Sequence, residues 1–88
     1  MEQATGLRLA LIRERLHGGI SQTEFAHRLG VSQARYNHWE RGFSIPTDQV
    51  RKIKDITPGI TADWLYWGDT SALTFQVWWK LYGTEEAD

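Results

Sequence analysis

The chain has 88 residues, 41% of them hydrophobic, a formal net charge of −1 and no cysteine. That is enough for one domain with a modest core, since a chain of this size buries about 60–65% of its unfolded surface. No stretch approaches the ~20 apolar residues that span a bilayer, charges through the first twenty positions argue against a signal peptide, and the lack of thiols excludes disulfide and thiolate chemistry; together these point to the cytoplasm.

A first helix is predicted from about Thr5, as its cap, to Leu16, with Leu9, Ile12 and Leu16 on one face and Arg13 between them. Gly18 and Gly19 end it. Ser21 with Glu24 three residues later forms a capping box that starts a second helix at Gln22, running to Leu29. Gly30 suits the left-handed residue that ends a helix, and Ser32 caps a third helix from Gln33 to about Arg41. Phe25, Leu29, Val31, Tyr36 and Trp39, with small Ala26 among them, supply one apolar seam for two helices meeting at a steep angle.

Gly42 follows the third helix, and Phe43 to Pro46 form a loop. Thr47 and Asp48 open a fourth helix that turns Val50, Ile53 and Ile56 inward. Pro58 and Gly59 break the chain; Thr61 caps a fifth helix, Ala62 to Trp67, which Gly68 stops. In the tail from Thr70 to Tyr82, Leu73, Phe75, Val77, Trp79 and Leu81 alternate as a strand would. Phe75, Trp78, Trp79 and Tyr82 equally mark one helical face, and a helix ending at Gly83 is favoured. Residues Thr84 to Asp88 are expected to fray.

The charge is polarised along the chain. Residues 1–54 hold nine basic and five acidic side chains, net +4, whereas residues 55–88 hold one and six, net −5. The basic half has a footprint suited to an acidic polymer. Catalysis finds no support: His17, His27 and His38 lack metal-pair spacing, the serines lie at cap positions, no glycine-rich phosphate loop follows a strand, and Asp63 and Asp69 look like helix-end residues. No metal or cofactor is expected.

The run ISQTEFAHRLGVSQARYNHWERG, followed by IP, a basic helix and ITADWLYWGD, resembles the phage-repressor and Cro class of helix-turn-helix proteins, also called the xenobiotic-response-element family. The likeness covers about residues 7–69. It implies an all-α fold, a compact five-helix bundle of the lambda-repressor-like type, in residues 1–69, with residues 70–88 as an aromatic segment and acidic tail. It further implies a non-enzymatic transcription regulator, a repressor in the simplest case, bacterial or from a phage or prophage. Such a protein works on the nucleoid as a homodimer on a two-fold double-stranded DNA operator, with the third helix in the major groove. This chain departs from the pattern in the longer Gly18–Gly19 connection, in Ala34 where a polar reader is common, and in four aromatic residues of the tail.

With Tyr36, Trp39 and Glu40 turned to the bundle, the opposite face of the third helix offers Gln33, Ala34, Asn37 and His38 as base contacts. Two amides suit adenine, and the Ala34 methyl suits the methyl of thymine. Phosphate contact is expected from Gln22, at a helix N-terminus, and from Arg35, Arg41 and the backbone at Phe43 and Ser44, with Arg28, Arg51, Lys52 and Lys54 as weaker candidates. The resemblance implies a structural ion pair between Arg13 and Glu40, with Arg15 as the competitor if the longer turn shifts the register. Trp64, Trp67, Trp78 and Trp79 serve either as core or, with Tyr82, as a surface: Trp78, Trp79 and Tyr82 are the candidate dimer interface. The alternative function is a protein-interaction adaptor, or an antitoxin-like partner of a basic protein, using the acidic aromatic half.

Overall fold

Hydroxyl caps set most of the helix starts. Ser21, Ser32, Thr61 and Thr74 each adopt extended backbone angles and accept, through the side-chain oxygen, the N–H of Glu24, Arg35, Trp64 and Val77 respectively. Each satisfies a donor that the first turn of a helix leaves without a partner. The computed structural model describes residues 3–83, so the expected fraying of Thr84 to Asp88 lies outside the described residues. The helices are α1 (Gln3–Leu11), α2 (Gln22–Leu29), α3 (Gln33–Glu40), α4 (Thr47–Ile56), α5 (Ala62–Trp67) and α6 (Phe75–Tyr82). No strand occurs among the described residues.

Among the described residues six α-helices are present where a five-helix bundle is expected; the sixth is the tail, which takes the favoured helical form and starts on Thr74 as cap. Thr5 is not a cap. The chain is already helical at Gln3, two residues earlier, and Thr5 is buried with its Oγ1 donating to the Tyr66 carbonyl at 3.5 Å. Beyond Leu11 the helix widens into a π-helical turn, Ile12–Leu16, closed where Gly19 N–H reaches the Arg13 carbonyl at 3.2 Å. Gly18 and Gly19 both take φ of +76°, a region that disfavours other L-residues. The long first connection is thus a wide turn followed by two left-handed glycines.

The seam behind the helix-turn-helix is aromatic. Phe25 of α2 meets Tyr36 of α3 edge to face at 5.4 Å, and Tyr36 meets Trp39 at 6.1 Å in the same manner, the geometry that ring quadrupoles favour. Leu9, Ile12, Leu29, Ile53, Trp64 and Leu65 extend this core, and Leu81 is the residue of α6 that enters it. Helix α1 lies close on the end of α3, at Gly6; a Cβ there would collide with the backbone of Trp39 and Glu40. Arg8 ties α1 to α5 by donating Nε to the Leu65 carbonyl and Nη2 to that of Tyr66, each at 2.8 Å, where a cation complements the helix C-terminus.

Helix α6 rests on the π-helical turn. The buried Trp64 indole donates Nε1–H to the Tyr82 hydroxyl at 2.7 Å, fixing α6 to α5. At the other side of the molecule's first turn, the His17 ring packs on Phe25 at 4.7 Å. Its Nε2 lies 2.7 Å from Thr57 Oγ1 and its Nδ1 lies 3.2 Å from Arg28 Nη1. A guanidinium only donates, so Nδ1 accepts and Nε2–H donates to Thr57, which is the neutral ring. Burial, and then the charge of Arg28, hold the His17 pKa below the ordinary imidazole value near 6.5.

Candidate nucleic-acid interface

Glu40, the last residue of α3, anchors a hydrogen-bond network that reaches the solvent face of that helix. Arg13 Nε donates to Glu40 Oε2 at 2.8 Å and Nη2 to Oε1 at 3.2 Å, a two-point guanidinium–carboxylate pair. Arg13 also donates Nη1 to the Ile20 carbonyl at 2.9 Å, which holds the entry into α2. Arg13 rather than Arg15 therefore faces Glu40; Arg15 is exposed. The Tyr36 hydroxyl donates to Glu40 as well. Burial alone would raise the Glu40 carboxyl, but donation from Arg13, Tyr36 and Gln22 outweighs it and holds the pKa below the usual carboxylate value of 4.5. Burial, reinforced by the bond to Glu40, pushes the Tyr36 phenol far above its ordinary range, so it stays a donor.

The carboxylate then dictates how three amides point. An ionised carboxylate only accepts, so Gln22 must turn Nε2–H to Glu40 Oε1, at 2.9 Å. That leaves Gln22 Oε1 facing the other way, where it accepts from Gln33 Nε2 at 2.9 Å and from Asn37 Nδ2 at 3.0 Å. The carbonyl oxygens of Gln33 and Asn37 remain as acceptors, each beside a second N–H on its own amide. Two of the expected readers are thus oriented by a hydrogen-bonded chain that starts at Arg13 in the π-helical turn.

The other expected contacts fall as follows. Ala34 and His38 are exposed on the same helix. The His38 ring packs on Phe43 at 5.2 Å between centroids. Phe43 donates its N–H to the His38 carbonyl at 3.1 Å, so this backbone group closes the end of α3 and is not a spare donor for phosphate. What Phe43 offers outward is its ring, 48% exposed. The Gln22 side chain is also a strut of the network, with one N–H given to Glu40 and its oxygen accepting from Gln33 and Asn37. Arg35 is exposed over the Trp39 ring, 5.5 Å from its centroid, and Arg41 and Ser44 are exposed beyond the helix end. Arg51, Lys52 and Lys54 line α4, with Lys52 Nζ 3.5 Å from the Leu29 carbonyl, and Arg28 pairs with Glu24 at 3.4 Å on the surface.

The expected dimer residues separate in the structure. Trp78 and Trp79 are partly exposed on α6, and Phe75 more so, whereas the Tyr82 hydroxyl is committed to Trp64. Trp64 is wholly buried and Trp67 exposed. Two features had no signal in the pattern of apolar positions. Gly6 acts through the absence of a side chain, and Arg8 reaches carbonyls 57 and 58 positions away. Among the described residues no helix is long and apolar enough to cross a membrane.

Two helices joined at a left-handed glycine, one buried on its aromatic side and offering rigid amides on the other, define the helix-turn-helix class of DNA-binding domains. The helix-turn-helix family model matches residues 10–65, and the chain belongs to this family, the Cro and repressor type of DNA-binding transcription regulator. No curated protein and no solved structure matches the chain. Helix α6 lies outside the matched region.

Proposed function

We propose that the protein is a sequence-specific repressor that binds a two-fold operator as a homodimer and reads the major groove with α3. The observation that carries this reading is the Glu40–Gln22–Gln33/Asn37 chain, which fixes two amides before any duplex arrives. Gln33 and Asn37 each keep an acceptor and an N–H side by side, the pair an adenine edge requires, worth ~1–3 kcal/mol of discrimination each. Ala34 meets a thymine methyl, and His38, steadied by Phe43, meets a guanine or phosphate edge. Phosphates are held by Arg35, Arg41, Ser44 and the N–H groups at the start of α2, including the second amide N–H of Gln22. Net charge +4 over residues 1–54 supplies the electrostatic attraction.

Selection of bound sites from a random duplex pool tests the proposal. The expected result is a palindromic consensus with half-site centres ~34 Å apart, and binding that weakens steeply with salt, losing roughly 0.9 of the log–log slope for each phosphate contact removed. A pool that returns no preferred sequence would leave an adaptor role for the acidic half as the better account.

A further inference from the structure

We propose that the aromatic face of α6, formed by Phe75, Trp78 and Trp79, is the seam by which two copies of this chain join on a two-fold axis. The inference deepens the reading above and rests on it for the geometry of the operator. Phe75 is 73% exposed, Trp78 39% and Trp79 47%. Phe75 lies 6.2 Å from Trp78 and 6.4 Å from Trp79 between centroids, at interplanar angles of 21° and 26°, so the three rings form one layered surface.

Four observations point to a second copy as its occupant. First, the face is self-compatible: Lys80 is the only charged residue between Phe75 and Tyr82, so an isologous pairing of two α6 helices opposes no row of like charges. Second, area matches a weak pairing. With the half-exposed Tyr82, the rings offer roughly 400 Å² at 150–250 Å² per buried aromatic side chain, about half of the ~800 Å² per partner in a stable interface, which corresponds to micromolar rather than permanent association. Third, the helix is ordered before association, through Leu81 in the core and the Trp64–Tyr82 hydrogen bond, which lowers the entropy lost on docking. Fourth, size fits. A body with extents of 38 × 24 × 24 Å on each of two half-sites ~34 Å apart brings neighbouring copies within touching distance. The duplex itself is a poor occupant, because residues 55–88 carry net −5.

Sedimentation equilibrium without DNA, from low to high micromolar concentration, tests the proposal on the full chain beside Phe75→Glu and Trp78→Glu. Circular dichroism establishes that each variant keeps its helices; Phe75 is so exposed that its replacement leaves the core intact, which keeps the test open if Trp78→Glu unfolds. The expected result is a wild-type monomer–dimer equilibrium in the micromolar range and folded, monomeric variants. On DNA, the variants should keep half-site affinity and lose about a hundredfold on the full operator, the gain that linking two binding events provides. A folded Phe75→Glu that dimerises as wild type, or a wild-type chain that stays monomeric and fills two half-sites independently, would overturn the seam. Capture of a foreign protein by a monomeric wild type would overturn it too. A dimer with no duplex preference would instead sink the operator reading while leaving the seam standing.

Discussion

Helices α3 and α6 have eight residues each, both capped by a hydroxyl, yet they expose opposite chemistries. Helix α3 turns Tyr36 and Trp39 into the core and presents amides and an imidazole; α6 turns Leu81 inward and presents three rings. An eight-residue helix is not stable in water alone, so tertiary contact must hold both. For α3 that contact is an aromatic seam plus a buried ion pair. For α6 it is one leucine, one tryptophan–tyrosine hydrogen bond and the packing of Val77 over Gly59. The contrast is between a polar face that must not move and an apolar face that awaits cover.

The largest expected effect breaks the α3 side. Arg13 and Glu40 side chains are only 14% and 9% exposed, so Arg13→Ala strands a carboxylate away from water and should cost ~3–5 kcal/mol. That is a large share of the ~5–15 kcal/mol typical of a domain. Urea unfolding of the variant should show it, whereas Phe75→Ala on α6 should stay within about 0.5 kcal/mol of wild type. Equal losses from the two variants would erase the distinction between the helices. Gly6→Ala comes next on the same side. It pushes α1 off the end of α3, and overpacking of this kind costs about 1–3 kcal/mol.

How much of this was legible beforehand follows the range of each interaction. Caps act over three residues, so Ser21, Ser32 and Thr61 announce their helices correctly. Thr74 caps α6 in the same way but is not singled out by the sequence, because the tail has two periodicities and only packing against the π-helical turn selects the helix. Thr5 misled because a threonine before an apolar run reads as a cap, while its actual partner, the Tyr66 carbonyl, is 61 positions away. The exposed side of α3 could be inferred from spacing. That Gln22 faces Glu40 and orients Gln33 and Asn37 depends on a crossing angle that spacing does not encode. The same holds for Phe43, whose ring rather than its N–H is left outward.

Gln22→Ala sharpens the comparison by separating rigidity from stability. It removes one bond to Glu40, a loss of about 1 kcal/mol in unfolding. It also frees both amides of α3 to rotate, so operator affinity should fall about tenfold, ~1.4 kcal/mol. The larger signal lies in base preference. Site selection with the variant should blur the positions read by Gln33 and Asn37 and leave the remaining positions sharp. A uniform loss across all positions would mean that Gln22 serves phosphate alone.

The smallest effect is the pH dependence contributed by His17. The folded state holds His17 below its ordinary pKa near 6.5, by burial and by the charge of Arg28. The unfolded chain therefore takes up the proton first as pH falls. Stability from His17 is complete above about pH 6.5 and declines below it until the folded ring also titrates. The partial exposure of the ring keeps this loss under about 1 kcal/mol. Glu40, with its pKa held below 4.5, adds a second decline only below that pH, again because the unfolded carboxylate protonates first. Unfolding of wild type and His17→Gln at pH 7.5 and 5.5 isolates the first component. The wild type should lose more on acidification than the variant, and Thr57→Val, which removes the hydroxyl that accepts from Nε2, should lower stability at pH 7.5. Identical pH profiles for wild type and His17→Gln would mean that the contacts of the ring with Phe25, Arg28 and Thr57 leave its titration unchanged.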